Sequence, residues 1–187
     1  ITTIVKLAVE KILKKNVLVV GAGIKTGLNI RIDNPAQLGS DLVVDSVAAI
    51  AEYPAPLLIF DLGTANTVCV IDKNKNYIGG MIYPGIGVSL DSLTAHASQL
   101  GGISIEAPEH MIGKNTTECM KSGLIYSSAA AMDGIIDRLQ EKLGGEATVI
   151  ATGGLAKKIV PHCRREIILD DDLLLKGLAI IYKKNRK

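Results

Sequence analysis

The sequence has no tryptophan and a single phenylalanine, Phe60. Aromatics are 3% of it, too few for the stacking platforms on which single-stranded nucleic acids bind. Nor is there an excess of charge: 21 basic residues against 19 acidic ones leave a formal +2. That balance gives no reason to expect a nucleic-acid or membrane partner. Cysteine is sparse, with Cys69, Cys119 and Cys163 far apart and in no C-x-x-C pair. An odd, scattered set argues against a disulfide framework or a zinc site and for a reducing cytoplasm. Long apolar runs are missing, so no transmembrane helix is expected. Residues Ile1 to Lys15 lack the separate basic and apolar regions of a signal peptide. The histidines His96, His110 and His162 have no ligand-like spacing, and helix-end or surface roles suit them better than catalysis.

Aliphatic residues and glycine fill the space these absences leave. Apolar types make up 48% of 187 residues, enough for one domain or two small lobes with a core. The 19 glycines, several of them clustered, point to sites built from backbone.

Apolar periodicity predicts a helix from the start of the chain to about Asn16, and the run Val17–Val20 predicts a buried strand. Gly21–Asp33 reads as a loop, Asn34-Pro35 as a turn or helix start, and Ala36–Glu52 as a helix. Pro54 and Pro56 break it, and a boundary between two lobes, 1–52 and 53–187, is expected there. Leu57–Phe60, Thr67–Ile71 and Tyr77–Tyr83 read as three strands of an antiparallel meander. Helices follow at Ile86–Leu100 and Asn115–Leu143, the second with a capping-box-like start and a Gly144-Gly145 end. Strands at Thr148–Ala151 and Ile167–Leu169 flank a short helix. A last helix begins at Leu173 behind Asp170–Asp172, a triplet better read as a helix start than as a metal site. The order is α/β, a mixed sheet flanked by helices.

Three segments invite a chemical reading. Val17 to Gly23 looks like a dinucleotide fingerprint, which would make the chain an oxidoreductase. The fingerprint needs a helix directly after its glycines; here a β-branched, Asn-containing stretch follows and the glycine spacing is wrong. Asp61-Leu-Gly-Thr-Ala-Asn-Thr67 links two strands and suits phosphate. Gly63 admits an anion to the backbone, Thr64 and Thr67 offer hydroxyls, and Asp61 could hold a charge-offsetting cation. It also reads as a plain tight hairpin. Thr152-Gly153-Gly154 follows a strand and opens a helix, where two glycines let a flat ring lie on the backbone. It reads equally as a turn with unusual dihedrals.

The pair is more specific than either segment. Strand-D-x-G-T-strand followed by strand-T-G-G-helix resembles the superfamily of actin, heat-shock ATPases and sugar kinases, in which the first motif cradles phosphate and the second flanks adenosine. Gly23-Ile-Lys-Thr-Gly-Leu, Asp33-Asn-Pro-Ala-Gln-Leu-Gly-Ser-Asp41, Asp61-Leu-Gly-Thr-Ala, Gly79-Gly80, Pro84-Gly85-Ile-Gly87, Ile112-Gly-Lys-Asn-Thr116 and Ala151-Thr-Gly-Gly-Leu-Ala156 occur in this order. Together they resemble type III pantothenate kinase, which catalyses the first step of coenzyme A synthesis.

The resemblance implies a ribonuclease H-like fold with a complete second lobe and a partial first one. It implies ATP-dependent phosphorylation of pantothenate in the cytoplasm, with Mg²⁺ and a monovalent cation (K⁺ or NH₄⁺), by a homodimer whose active site lies at the interface. Gly39, Ser40, Asp41 and Leu42 match the pantothenate-binding segment, with Asp41 at the place of the proton acceptor. Asp61 matches the monovalent-cation ligand. Thr64, beside Gly63, matches an ATP contact, Gly153 and Gly154 flank the nucleotide, and Thr116 matches a substrate contact. Asp41 also reads as a surface residue in a helix's first turn, and Thr116 as a helix cap. The small residues Ser127–Ala131 would pack within the fold or across the dimer.

Two departures bear on function. Leu42 stands where the family has an arginine, and a leucine cannot hold the substrate carboxylate. The family's Asp-x-Gly-Asn-Thr phosphate motif is not found, so the chain is expected to start inside the family pattern and residues 1–187 alone not to turn over pantothenate. Both favour a rival, a non-catalytic nucleotide-binding relative akin to an accessory factor of transcriptional control.

Overall fold

A computed structural model describes residues 2–186. The first helix, α1 (Thr2–Leu13), buries no side chain, and Ile4, Leu7, Ile12 and Leu13 face outward. Val17–Val20 is not a strand: the segment is irregular, and Leu18 and Val19 are exposed. An apolar run becomes a strand only where a sheet edge accepts its backbone, and the position beside the meander goes instead to β1 (Asn29–Ile30), parallel to residues 76–77. No helix follows Gly23. The loop runs extended into β1, which removes the dinucleotide reading.

Pro35–Gln37 forms one 3-10 turn. Helix α2 (Ser40–Glu52) starts four residues later than the periodicity suggests, because Leu38 and Gly39 are extended. Then come β2 (Leu57–Leu62), β3 (Ala65–Ile71) and β4 (Asn76–Pro84), antiparallel in succession as expected. Helices α3 (Ile86–His96) and α4 (Thr116–Leu143) follow. Asn115 caps α4 by accepting from the Glu118 N–H at 3.0 Å, and Gly144 ends it in the left-handed region at φ 77°. The Glu118 side chain accepts from the Glu109 N–H rather than closing a reciprocal box. The chain ends through β5 (Thr148–Thr152), α5 (Ala156–Ile159), a 3-10 turn, β6 (Ile168–Leu169) and α6 (Leu173–Asn185).

The six strands form one mixed sheet in the order β1-β4-β3-β2-β5-β6, with β5 parallel to β2 and β6 parallel to β5. Strand alternation divides the core. Leu58, Phe60, Leu62, Val68 and Val70 pack under α3, α4 and α5. Leu57, Ile59, Cys69 and Ile71 face the other way, under Ala48 and Ala49 of α2 and Leu173 of α6. Helix α2 lies against α6 so closely that a Cβ at Gly177 would strike the Val44 backbone. The end of α6 also staples the loop before β1. Asn185 accepts from the Lys25 N–H and donates to the Lys25 carbonyl, while Lys184 donates to the Thr26 carbonyl at 2.9 Å. A partly exposed lysine between two carboxylates fixes the other end: Lys176 reaches both the buried Asp170 and the exposed Glu52 at 2.8 Å, and the Tyr53 hydroxyl donates to Asp170.

Candidate functional site

Both glycine-bearing turns sit at one end of the central strands. Asp61 is opposite Thr67 on β3 and in register with Thr152 on β5. The tip between β2 and β3 is tight, with Gly63 and Thr64 outside both strands and Thr64 exposed. The hairpin reading is therefore correct as geometry, and it leaves the phosphate reading intact. The buried Thr67 hydroxyl has no protein partner. The start of α3 holds the tip: the Gly85 N–H donates to the Thr64 carbonyl at 3.0 Å, and no side chain would fit at Gly85 against the Gly63 and Thr64 carbonyls.

The second turn lies on the first. The Leu155 N–H donates to the Leu62 carbonyl at 3.2 Å. Gly153 has φ 93°, and a Cβ there would run into Asp61 Oδ1 and the Leu62 backbone. Glycine is needed at that position twice over, for its dihedral and for the close approach.

Asp41 belongs to α2, in its first turn, with the Gly39 backbone packed against its carboxylate. It stands where two cavities meet. One, of about 430 Å³, is lined by Asp41, Asp45, Asp61, Thr152, Gly153, Gly154, Asp171 and Leu174. The other, of about 500 Å³, has Asp41, Gly39, Leu42, Thr67, Tyr77 and Gly80 among its walls. Leu42 is half-buried against the sheet core and gives that wall an apolar surface. Ser40 faces a third hollow beside Val20 and Pro35. Thr116 is elsewhere as well, in an apolar groove of about 710 Å³ between α3 and α4 that also exposes Gly123 and Ser127. The cap of α4 is Asn115, so Thr116 is the first helical residue and exposed. The structure thus gathers Asp41, Asp61, Gly153 and Gly154, sets Gly39 and Leu42 on the adjoining side, and leaves Ser40, Thr64 and Thr116 outside the first cavity.

Asp45 is the residue that sequence reading missed. It is 2% exposed, four positions after Asp41 on α2, and its Oδ1 has no hydrogen-bond partner. Burial, then the neighbouring charges of Asp61, Asp41 and Asp170, push its carboxyl up to about 7. Burial and then Asp41 raise Asp61 as well. The available signal was an acid inside Val43-Val44-Asp45-Ser46-Val47-Ala48-Ala49, on the buried side of an amphipathic helix. Acids seldom stand there without a partner. Among the described residues no group of three or more His, Cys, Asp or Glu side chains forms a metal cage.

A family model described as type III pantothenate kinase matches residues 1–138. The chain belongs to the type III pantothenate kinase family. It is 47% identical over 170 residues to a type III pantothenate kinase of an Exiguobacterium species, across 91% of this chain and 66% of that protein. It is 46% identical over 176 residues to the one of Bacillus cytotoxicus, across 94% of this chain and 67% of that protein. The chain thus spans about two thirds of the length of these curated relatives. A crystal structure described as a Baf family transcriptional activator from Campylobacter jejuni superposes with a TM-score of 0.56 at 22% identity. It covers 86% of this chain and 70% of that one, a likeness that speaks for the fold alone. The glycines of the second turn lie beyond the stretch that the pantothenate kinase model matches. No described helix is long and apolar enough to cross a membrane.

Proposed function

We propose that the protein phosphorylates pantothenate with ATP, and that the chemistry is centred on Asp41. The observation that carries this is the position of one carboxylate at the junction of two cavities. One is walled by Asp61 at the end of β2 and by Gly153 and Gly154 of the second turn, which suits it to a nucleotide; the other lies between α2 and β4 and suits the acceptor. Family membership names the acceptor. The lobes 1–52 and 53–187 would then contribute Asp41 and the two turns respectively.

In the reaction the acceptor hydroxyl oxygen attacks the γ-phosphorus. An O–P bond forms in line with the breaking bond to the β-phosphate oxygen, and the hydroxyl proton passes to Asp41. The residues supply mainly position and fixed charge. Gly63, Thr64 and the unpartnered Thr67 hydroxyl would receive phosphate oxygens, and Gly153 and Gly154 would lie along the adenosine. A divalent ion bound with ATP neutralises phosphate charge, and the donor chemistry fits it: carboxylates line the cavity, one with an unpaired buried oxygen. Asp61 would hold the monovalent cation, K⁺ or NH₄⁺. Thr116, remote from Asp41 within one chain, would meet substrate across a homodimer interface along α4.

The test is a kinase assay on the native protein that carries this sequence, with 4'-phosphopantothenate identified by mass. Replacing Asp41 by Asn should cut kcat by about 10²–10⁴ and leave Tm nearly unchanged, because Asp41 is exposed. A variant with the parent's turnover removes Asp41 from the mechanism.

A further inference from the structure

Asp45 is buried to within 2% of its surface, yet its Oδ1 accepts no hydrogen bond. An interior carboxylate oxygen without a partner is costly, and native structures seldom keep one unless something outside the chain satisfies it. The cavity it lines holds four aspartates and no lysine, arginine or histidine. Two acids nearby have their own partners: Asp171 pairs with Lys157 at 2.5 Å, and Asp170, outside the lining, pairs with Lys176. Among the described residues, no basic side chain pairs with Asp41, Asp45 or Asp61. Three carboxyl groups crowd one hollow, one of them sealed from water, and a positive charge between them would let them ionise together.

We propose that Asp45 joins Asp61 as the second carboxylate of a cation site inside this cavity. Of the lining carboxylates, Asp41 is exposed and assigned to the proton, and Asp171 is engaged by Lys157. Asp45 and Asp61 remain, on α2 and β2, facing the same hollow. The Gly153 turn packs on Asp61 Oδ1 and restricts where that carboxylate can go. Two carboxylates are a usual protein share for Mg²⁺, with water and phosphate oxygens completing the shell, and no three-residue cage is then required. A potassium-sized ion would use the same two oxygens. The shared chemistry is a hard cation on carboxylate oxygen. It goes beyond the kinase reading and rests on it only in leaving Asp41 to the proton, and its test measures binding without ATP or acceptor.

The experiment compares the native protein with its Asp45→Asn variant. Asparagine keeps the shape and removes the charge. Mn²⁺ alone is titrated with free ion followed by electron paramagnetic resonance, in a tetramethylammonium buffer. K⁺ alone is titrated in a second arm by calorimetry. The parent should bind at least one of the two, and Asp45→Asn should weaken that binding by about tenfold or more, the scale of loss when a metal site's support is removed. The arm that responds identifies the ion. The variant should fold as well as the parent, since it loses an unpaired buried charge. Should it not fold, the parent decides alone: Mn²⁺, or Tl⁺ in place of K⁺, should perturb the carboxyl carbon resonances of Asp45 and Asp61 and leave Asp72 unchanged, at the far end of β3. Equal affinity in parent and variant, no binding of either ion to the parent, or unperturbed Asp45 resonances would each overturn the proposal. Kinase activity can survive all three, so the two readings fail separately.

Discussion

Leu42 stands next to Asp41 in sequence but is half-buried, packed toward the sheet core. At that place the acceptor cavity offers no cation for a carboxylate. Leu42→Arg should therefore lower KM for pantothenate by about tenfold, the worth of one charge-assisted hydrogen bond, and change kcat little; initial-rate kinetics would show a raised KM if the guanidinium could not reach. Asp170 is a different case. Burial raises its carboxyl, but hydrogen bonds from Lys176 and Tyr53 outweigh that and hold it below its ordinary value. A depressed carboxyl stabilises the fold above its unfolded pKa of about 3.9 and ceases to do so as pH falls through the lower folded value. Thermal melts should therefore show Tm falling below about pH 4, with a shallower fall in Asp170→Asn. Both residues were readable as types in the sequence, and their partners were not. Asp61 and Gly153 announced themselves through local motifs, whereas Asp45 depends on which side of α2 meets the sheet, a fact of packing that no short motif carries.

At the level of elements, α2 carries Asp41 and Asp45 and is positioned by α6. Gly177 is the contact point, buried where its Cα faces the Val44 carbonyl. Gly177→Ala would force the helices apart, at a cost of about 1–3 kcal/mol as for other overpacked cores. The loss should exceed the small gain alanine brings to helix propensity. Chemical denaturation would measure it, and a variant as stable as the parent would mean that α6 can shift without strain. The meander, the long helix and both glycine turns were legible because period-two alternation, a cap and a Gly pair are local signals. Val17–Val20 was not, since its fate depends on whether a sheet edge lies open. The start of α2 was misplaced because Pro35 suggests a helix while Leu38 and Gly39 interrupt it.

For the whole molecule, the separation of Thr116 from Asp41 is the informative fact. Within one chain they open into different cavities. The groove by Thr116 is apolar, and Gly123, Ser127, Ala130 and Ala131 leave an exposed small-residue surface along α4. A homodimer that brings two such surfaces together is expected, and sedimentation equilibrium of the native protein should return twice the chain mass. A strict monomer that turns over substrate would rule out a shared site. Sequence alone presented the small residues without deciding between internal packing and association; the structure shows Ala129 turned inward and its neighbours outward.

The hold of α6 on the loop before β1 also sets a timetable for synthesis. The meander from β2 to β4 can assemble as it emerges from the ribosome, since each strand pairs with the next in sequence. Helix α2 is made earlier but must wait. Val44 has no seat until Gly177 arrives, and Lys25 and Thr26 have no anchor until Lys184 and Asn185 do. The segment bearing Asp41 and Asp45 is thus translated well before the helix that fixes it, and its apolar face stays uncovered in the interval.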